Sequence, residues 1–173
     1  MRSWRRLLVA TVGALSLVGA GSVSVAAHEG GSLIEFDSMT PVTGAAVGTV
    51  NDRGLKGGGL PWAINSGSGE VGRNGQVSVQ VTGLVLAAGP NTGKNPIPTF
   101  AATVSCLTPH GIVNLTTASF PATMPGGDST ISATVSLPHP CRSPEVFVGT
   151  VNASTGAFAW FAMSNPGDEE DDD

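Results

Sequence analysis

The stretch QVSVQVTGLVL, residues 76–86, decides the fold. Val77, Val79 and Val81 occupy every second position, with Gln76, Ser78, Gln80 and Thr82 between them. Side chains of an extended backbone point alternately to opposite faces. This spacing therefore buries the valines and leaves the amides and hydroxyls wet, as in a strand covered on one side. Two further stretches repeat the pattern. TFAATVSC (99–106) puts Phe100, Ala102, Val104 and Cys106 on one face, and STISATVSL (129–137) does so with Ile131, Ala133, Val135 and Leu137. Beyond the leader, no stretch carries an apolar period of 3.6 over a helical length. Turn residues punctuate the runs: Asn74-Gly75, Gly89-Pro90-Asn91, Pro109-His110-Gly111 and Pro125-Gly126-Gly127-Asp128. Strands are predicted at 32–37, 45–51, 60–65, 76–86, 98–107, 111–119, 129–137, 145–152 and 157–164. Residues 87–97 read as the longest loop. Many short strands with frequent turns predict an all-β fold. The expected form is an antiparallel β-sandwich, immunoglobulin-like or Greek-key, of about nine strands with one disulfide.

The flanks divide the chain. A basic start, MRSWRR, precedes the apolar run LLVATVGALSLVGAGSVSV and the small residues Ala26 and Ala27. That is the layout of a signal peptide over residues 1–27, cleaved after Ala27 or, alternatively, after Ala26. A retained anchor is the competing reading, since the run is long enough to span. Arg5-Arg6 leaves both the general and the twin-arginine export routes open. The expected domain is 28–165, followed by a disordered acidic tail at 166–173. After cleavage the net charge is −8, or about −2 without the six acids Asp168 to Asp173. Five scattered basic residues make no face for nucleic acid. No second apolar run reaches spanning length, so no membrane span is expected after cleavage. In an exported chain, two cysteines predict a Cys106–Cys141 disulfide. Closing a loop of this length contributes roughly 3.5–4 kcal/mol on the chain-entropy model. Cys106 ends one alternating run and Cys141 follows another, so the bridge is expected to pin neighbouring strand ends.

The pentapeptide VGTVN occurs twice, at 47–51 and 148–152. Each copy ends in an asparagine, with a glycine (Gly54 or Gly156) closing a turn, and a tryptophan (Trp62 or Trp160) in the strand beyond. The second turn is one residue longer. Two readings stand: related hairpins packed near each other, or convergent turn chemistry. The unmatched segments between the copies favour the second.

Several stretches carry a family likeness: GGGLPWAI (57–64), VTGLVL (81–86), FAATVSC (100–106), and the closing FVGTV (147–151) with WFAMS (160–164). Together they resemble a group of small exported bacterial all-β proteins of high-GC Gram-positive type, with no established function. The resemblance covers most of the chain after the leader and implies no activity, ligand or catalytic residue.

The candidate chemistry is sparse. Cleavage after Ala27 makes His28 the first residue, and its amine and ring nitrogen, joined by His110 or His139, form a three-nitrogen set suited to copper(II). The competing reading is a loose terminus and two surface-loop histidines beside prolines. A catalytic histidine needs a nucleophile and an orienting acid, and no Gly-x-Ser-x-Gly elbow is present. Glu35 and Asp37 share one strand face, whereas a glycosidase needs acids across a cleft. Gly57-Gly58-Gly59 lacks the Lys-Ser/Thr ending of a phosphate loop, and the acidic tail lacks a calcium loop. The most informative run is AFAWFAM (157–163), apolar on both faces: Phe158 and Trp160 on one, Phe161 and Met163 on the other. One face of a sandwich strand suffices for the core. The surplus calls for cover by a loop such as 54–59, for self-association, or for a ligand patch including Trp62. The expected function is an exported, non-enzymatic binding or surface-associated module without a cofactor, its partner a cell-envelope or glycan ligand or a second copy. The alternatives are an exported copper protein using His28 and a hydrolase whose site the sequence does not assemble.

Overall fold

The computed structural model describes residues 31–165. The leader, His28 and the acidic tail lie outside the described residues. Thirteen strands follow in chain order: β1 Ser32–Phe36, β2 Ser38–Pro41, β3 Lys56–Gly57, β4 Trp62–Ala63, β5 Ser66–Gly72, β6 Gln76–Thr82, β7 Val85–Leu86, β8 Thr99–Thr108, β9 Gly111–Thr116, β10 Phe120–Pro121, β11 Ser129–Thr134, β12 Arg142–Val151 and β13 Phe158–Asn165. Nine of these are four residues or longer. Among the described residues the one helical element is a single 3₁₀ turn, Gly44–Ala46.

The strands form an antiparallel sandwich. One sheet has the order β1-β5-β6-β11, and the other runs β10-β8-β12-β13-β2. β9 pairs with β8 further along the same edge, and β3 adds a short parallel pair to β13. Strand β11 lies beside β6, and β12 lies beside β8, so the chain crosses between sheets before pairing. That is the Greek-key connectivity of immunoglobulin-like sandwiches. The alternation of 76–82 and 99–106 works as expected. Val77, Val79, Val81, Phe100, Ala102, Val104 and Cys106 are all buried between the sheets, with Ile131 of β11. Cys106 and Cys141 are bonded and join β8 to the start of the adjacent β12.

Four local expectations are corrected. Residues 45–51 are no strand: the 3₁₀ turn and further turns occupy them, with one isolated bridge from Val50 to Lys56. Residues 60–65 reduce to the two-residue β4, paired with β7. The run 76–86 breaks between β6 and β7, where Gly83 has φ +60°. Finally, β2 and β5 were not expected at all. β5 reads SGSGEVG, which has almost no side chain to show a period. Its small residues make room instead, because a Cβ on Gly69 would stand 2.7 Å from the Phe36 ring and 2.6 Å from Ser78 O.

Candidate functional site

The aromatic residues predicted as a binding patch are divided between two buried sites. Trp62 and Phe161 stack in the main core, with ring centroids 3.9 Å apart and planes at 16°. Phe100 meets both edge-on. The register of β12 on β13 slips between Val148 and Gly149, which pair with Ala162 and Trp160. Phe161 is the extra residue in that slip, and it reaches the core alongside Ala162. Trp160 faces the other way. It meets Phe147 at 5.6 Å in a T-shaped contact on the outer side of the second sheet.

Residues 50–59, which include the glycine-rich 54–59 segment suspected from the sequence, strap this edge: Arg53 and Leu55 lie by Trp160 and β12, Lys56 and Gly57 pair with β13, and Gly58 reaches the core aromatics. Five hydrogen bonds hold this strap. Trp160 Nε1 donates to Leu55 O (3.3 Å), and Gly58 N donates to Trp160 O (2.8 Å). Asn114 Nδ2 donates to Arg53 O (2.9 Å). Arg53 Nη2 donates to Glu145 Oε1 (2.7 Å) and Ser143 O (2.9 Å). Glycine is required where the strap crosses the core aromatics: a Cβ on Gly58 would stand 2.8 Å from Trp62 Nε1 and 3.1 Å from Phe161. Trp62, Trp160 and Phe161 are each less than 5% exposed, and Phe158 and Met163 are half-buried. A sugar ring has no face of these tryptophans to stack on. Trp62 and Phe161 thus lie buried between the sheets, and Trp160 lies buried with Phe147 and Leu55 in the same hydrophobic cluster. Arg53 itself is buried, with Nη1 lacking a partner, and the buried Ser105 Oγ next to Glu145 in the sheet also lacks one.

Of the three histidines, His110 and His139 lie among the described residues. His110 is exposed at the tip of the β8–β9 hairpin, its N–H donating to Thr108 Oγ1. His139 is exposed in the loop before Cys141. Among the described residues, no group of three or more His, Cys, Asp or Glu is placed to hold a metal ion. Nor is any helix there long and apolar enough to cross a membrane.

What does face solvent as a site is the outer side of the four-stranded sheet. Cross-strand register aligns Glu35, Glu70, Ser78 and Ser132 in one row across all four strands. Ser68, Gln80 and Thr130 form a second row. Two shallow depressions of roughly 540 and 320 Å³ lie on this face and share Glu70 and Ser78. The first continues to Asp37, and the second to Gln76, Ser132 and Thr134. No Lys or Arg lines either one. Glu35 stands directly opposite Glu70, and like charges so placed repel each other by some tenths of a kcal/mol. Each hydroxyl and amide both donates and accepts, so the face is a grid of hydrogen-bonding groups about 4.8 Å apart from strand to strand. The same alternation that predicted β6 had already exposed Gln76, Ser78 and Gln80. The register that aligns them with β1, β5 and β11 had no sequence signal, because β5 had none.

Compared with protein-family models, with curated proteins and with solved structures, the chain matches none.

Proposed function

We propose that this protein is an exported, non-enzymatic binding domain that holds a polyhydroxylated ligand of the glycan class on the outer face of its four-stranded sheet. The observation that carries the reading is the two rows of hydroxyl, amide and carboxylate groups there, set over two adjoining depressions that Phe36, Gly69, Val77 and Ala133 also line and that no cationic side chain enters. A sugar chain offers the matching array of donors and acceptors. The absence of an aromatic platform suits a ligand held by hydrogen bonds and bridging water, at modest affinity. Export is supported by the signal-peptide pattern and by the disulfide. A binding role, in place of hydrolysis, is supported by the acids. Glu35 and Glu70 are neighbours on one side, not partners across a cleft.

The test is retention on cell-envelope polysaccharide. Ser78→Phe and Ser132→Phe fill the two depressions without adding charge and suit a strand. Each is expected to weaken retention about tenfold, the equivalent of 1.4 kcal/mol, with an unchanged melting curve. Glu70→Gln separates ligand types: it weakens binding to a cationic amino sugar and spares a neutral glycan. Equal retention of the wild type and both Phe variants would refute the site.

A further inference from the structure

Open sheets expose edges whose free N–H and C=O groups template pairing with another chain, and proteins blunt them with proline, charge, bulges or shortness. Most edges here are blunted. β1 has a register slip between Ser32 and Ile34 and carries Glu35. β2 is four residues long and ends on Pro41. β10 is two residues long and includes Pro121. The start of β11 is tied to β10 through Ser129 Oγ and Pro121 O.

β9 has none of these devices, and neither has β11 beyond its first residue; β9 differs in the exposed apolar pair that its hairpin carries. Its six residues, GIVNLT, pair with β8 from Thr103–Thr116 to Thr108–Gly111 without a slip. They include no proline and no charge. Leu107 and Ile112 sit directly opposite each other on this hairpin, and they are 36% and 44% exposed. From Asn95 through Gly127 the chain contains no Asp, Glu, Lys or Arg, although 12% of all residues are charged. The regular edge, the exposed apolar pair and the uncharged run thus coincide on one side of the second sheet.

We propose that β9 is a homodimer edge, at which two copies pair their β9 strands antiparallel about a two-fold axis. The charge pattern selects a second copy as the occupant. The chain is acidic, with a formal net charge of −5, so copies repel wherever charged surfaces meet. The β9 strand itself brings no like charges to a two-fold contact; exposed Arg142 stands opposite Leu107 on the far side of β8. Depletion of charge is also the compositional mark of an interface core. The pairing makes one continuous sheet through both molecules and draws Ile112 and Leu107 toward cover. It leaves the polar face of the four-stranded sheet free in each copy.

The test is sedimentation of the full protein from low micromolar to near-millimolar concentration, with hydrogen–deuterium exchange of the 111–116 amides over the same range. A monomer–dimer equilibrium is expected, with slower β9 exchange as the dimer fills. Ile112→Lys weakens it at least about tenfold, whereas Leu60→Lys, at an exposed leucine elsewhere, leaves it unchanged. A monomer at every concentration overturns the proposal. So does a dimer whose β9 exchange ignores concentration, or one that survives Ile112→Lys. The exchange measurement on the unmodified protein holds even if the lysine variant misfolds.

Discussion

At the scale of single residues, the repeated VGTVN shows how much of a short sequence is conformation and how much is context. The two asparagines behave alike. Asn51 Oδ1 accepts from Arg53 N and Leu55 N, and Asn152 Oδ1 accepts from Ser154 N and Thr155 N. Gly54 and Gly156 close the turns at φ +74° and +71°. The two turns also lie side by side, since Lys56 and Gly57 pair with Ala159 and Trp160. The leading glycines differ. Gly48 adopts φ +70° in open space, whereas Gly149 lies opposite the β13 bulge, where a Cβ would stand 2.0 Å from Ala159 O. Gly149→Ala must therefore push β13 away, at a cost of about 2–3 kcal/mol. Gly48→Ala meets only backbone strain of about 1 kcal/mol. Urea unfolding of the two variants checks the order, and a costlier Gly48→Ala would contradict it. The asparagine turn was legible in the sequence. The second glycine's reason was not, because it depends on a strand that arrives later in the chain.

At the scale of elements, period two identified β6, β8 and β11, the last over a predicted run of 129–137 that ends as a strand at Thr134. It missed β5, whose glycines and serines leave no contrast to read. Period two also says nothing of how the strap is ordered, which comes from five scattered hydrogen bonds. The strap's polar anchor is Arg53 on Glu145, an ion pair of 2.7 Å with side chains 6% and 23% exposed. Removing the carboxylate strands a buried guanidinium. Fully buried pairs cost about 3–5 kcal/mol to break, and the partial exposure of Glu145 lowers that to about 1–3 kcal/mol through solvent screening. Glu145→Ala is thus expected to loosen the strap before the sandwich. Limited trypsin digestion should then cut first after Arg53 or Lys56, in place of sites outside the strap. An unchanged cleavage order would show that the ion pair does not hold the segment.

At the scale of the whole molecule, composition and punctuation made the sandwich legible, along with its disulfide. The surplus apolar surface of residues 157–163 was legible too, but its fate was not: periodicity shows that a face needs cover without naming what supplies it. The structure supplies a bulge that sends Phe161 inward and a strap that closes over Trp160. The proposed site consequently moves to the opposite sheet, onto the polar half of the stretch that revealed the fold. Site-resolved hydroxyl-radical footprinting by mass spectrometry tests this division most directly. Trp62, Trp160 and Phe161 should stay unmodified while Met124, 58% exposed, is oxidised readily. Oxidation of Trp160 as fast as Met124 in the folded protein would contradict the account and return the aromatic cluster to the surface.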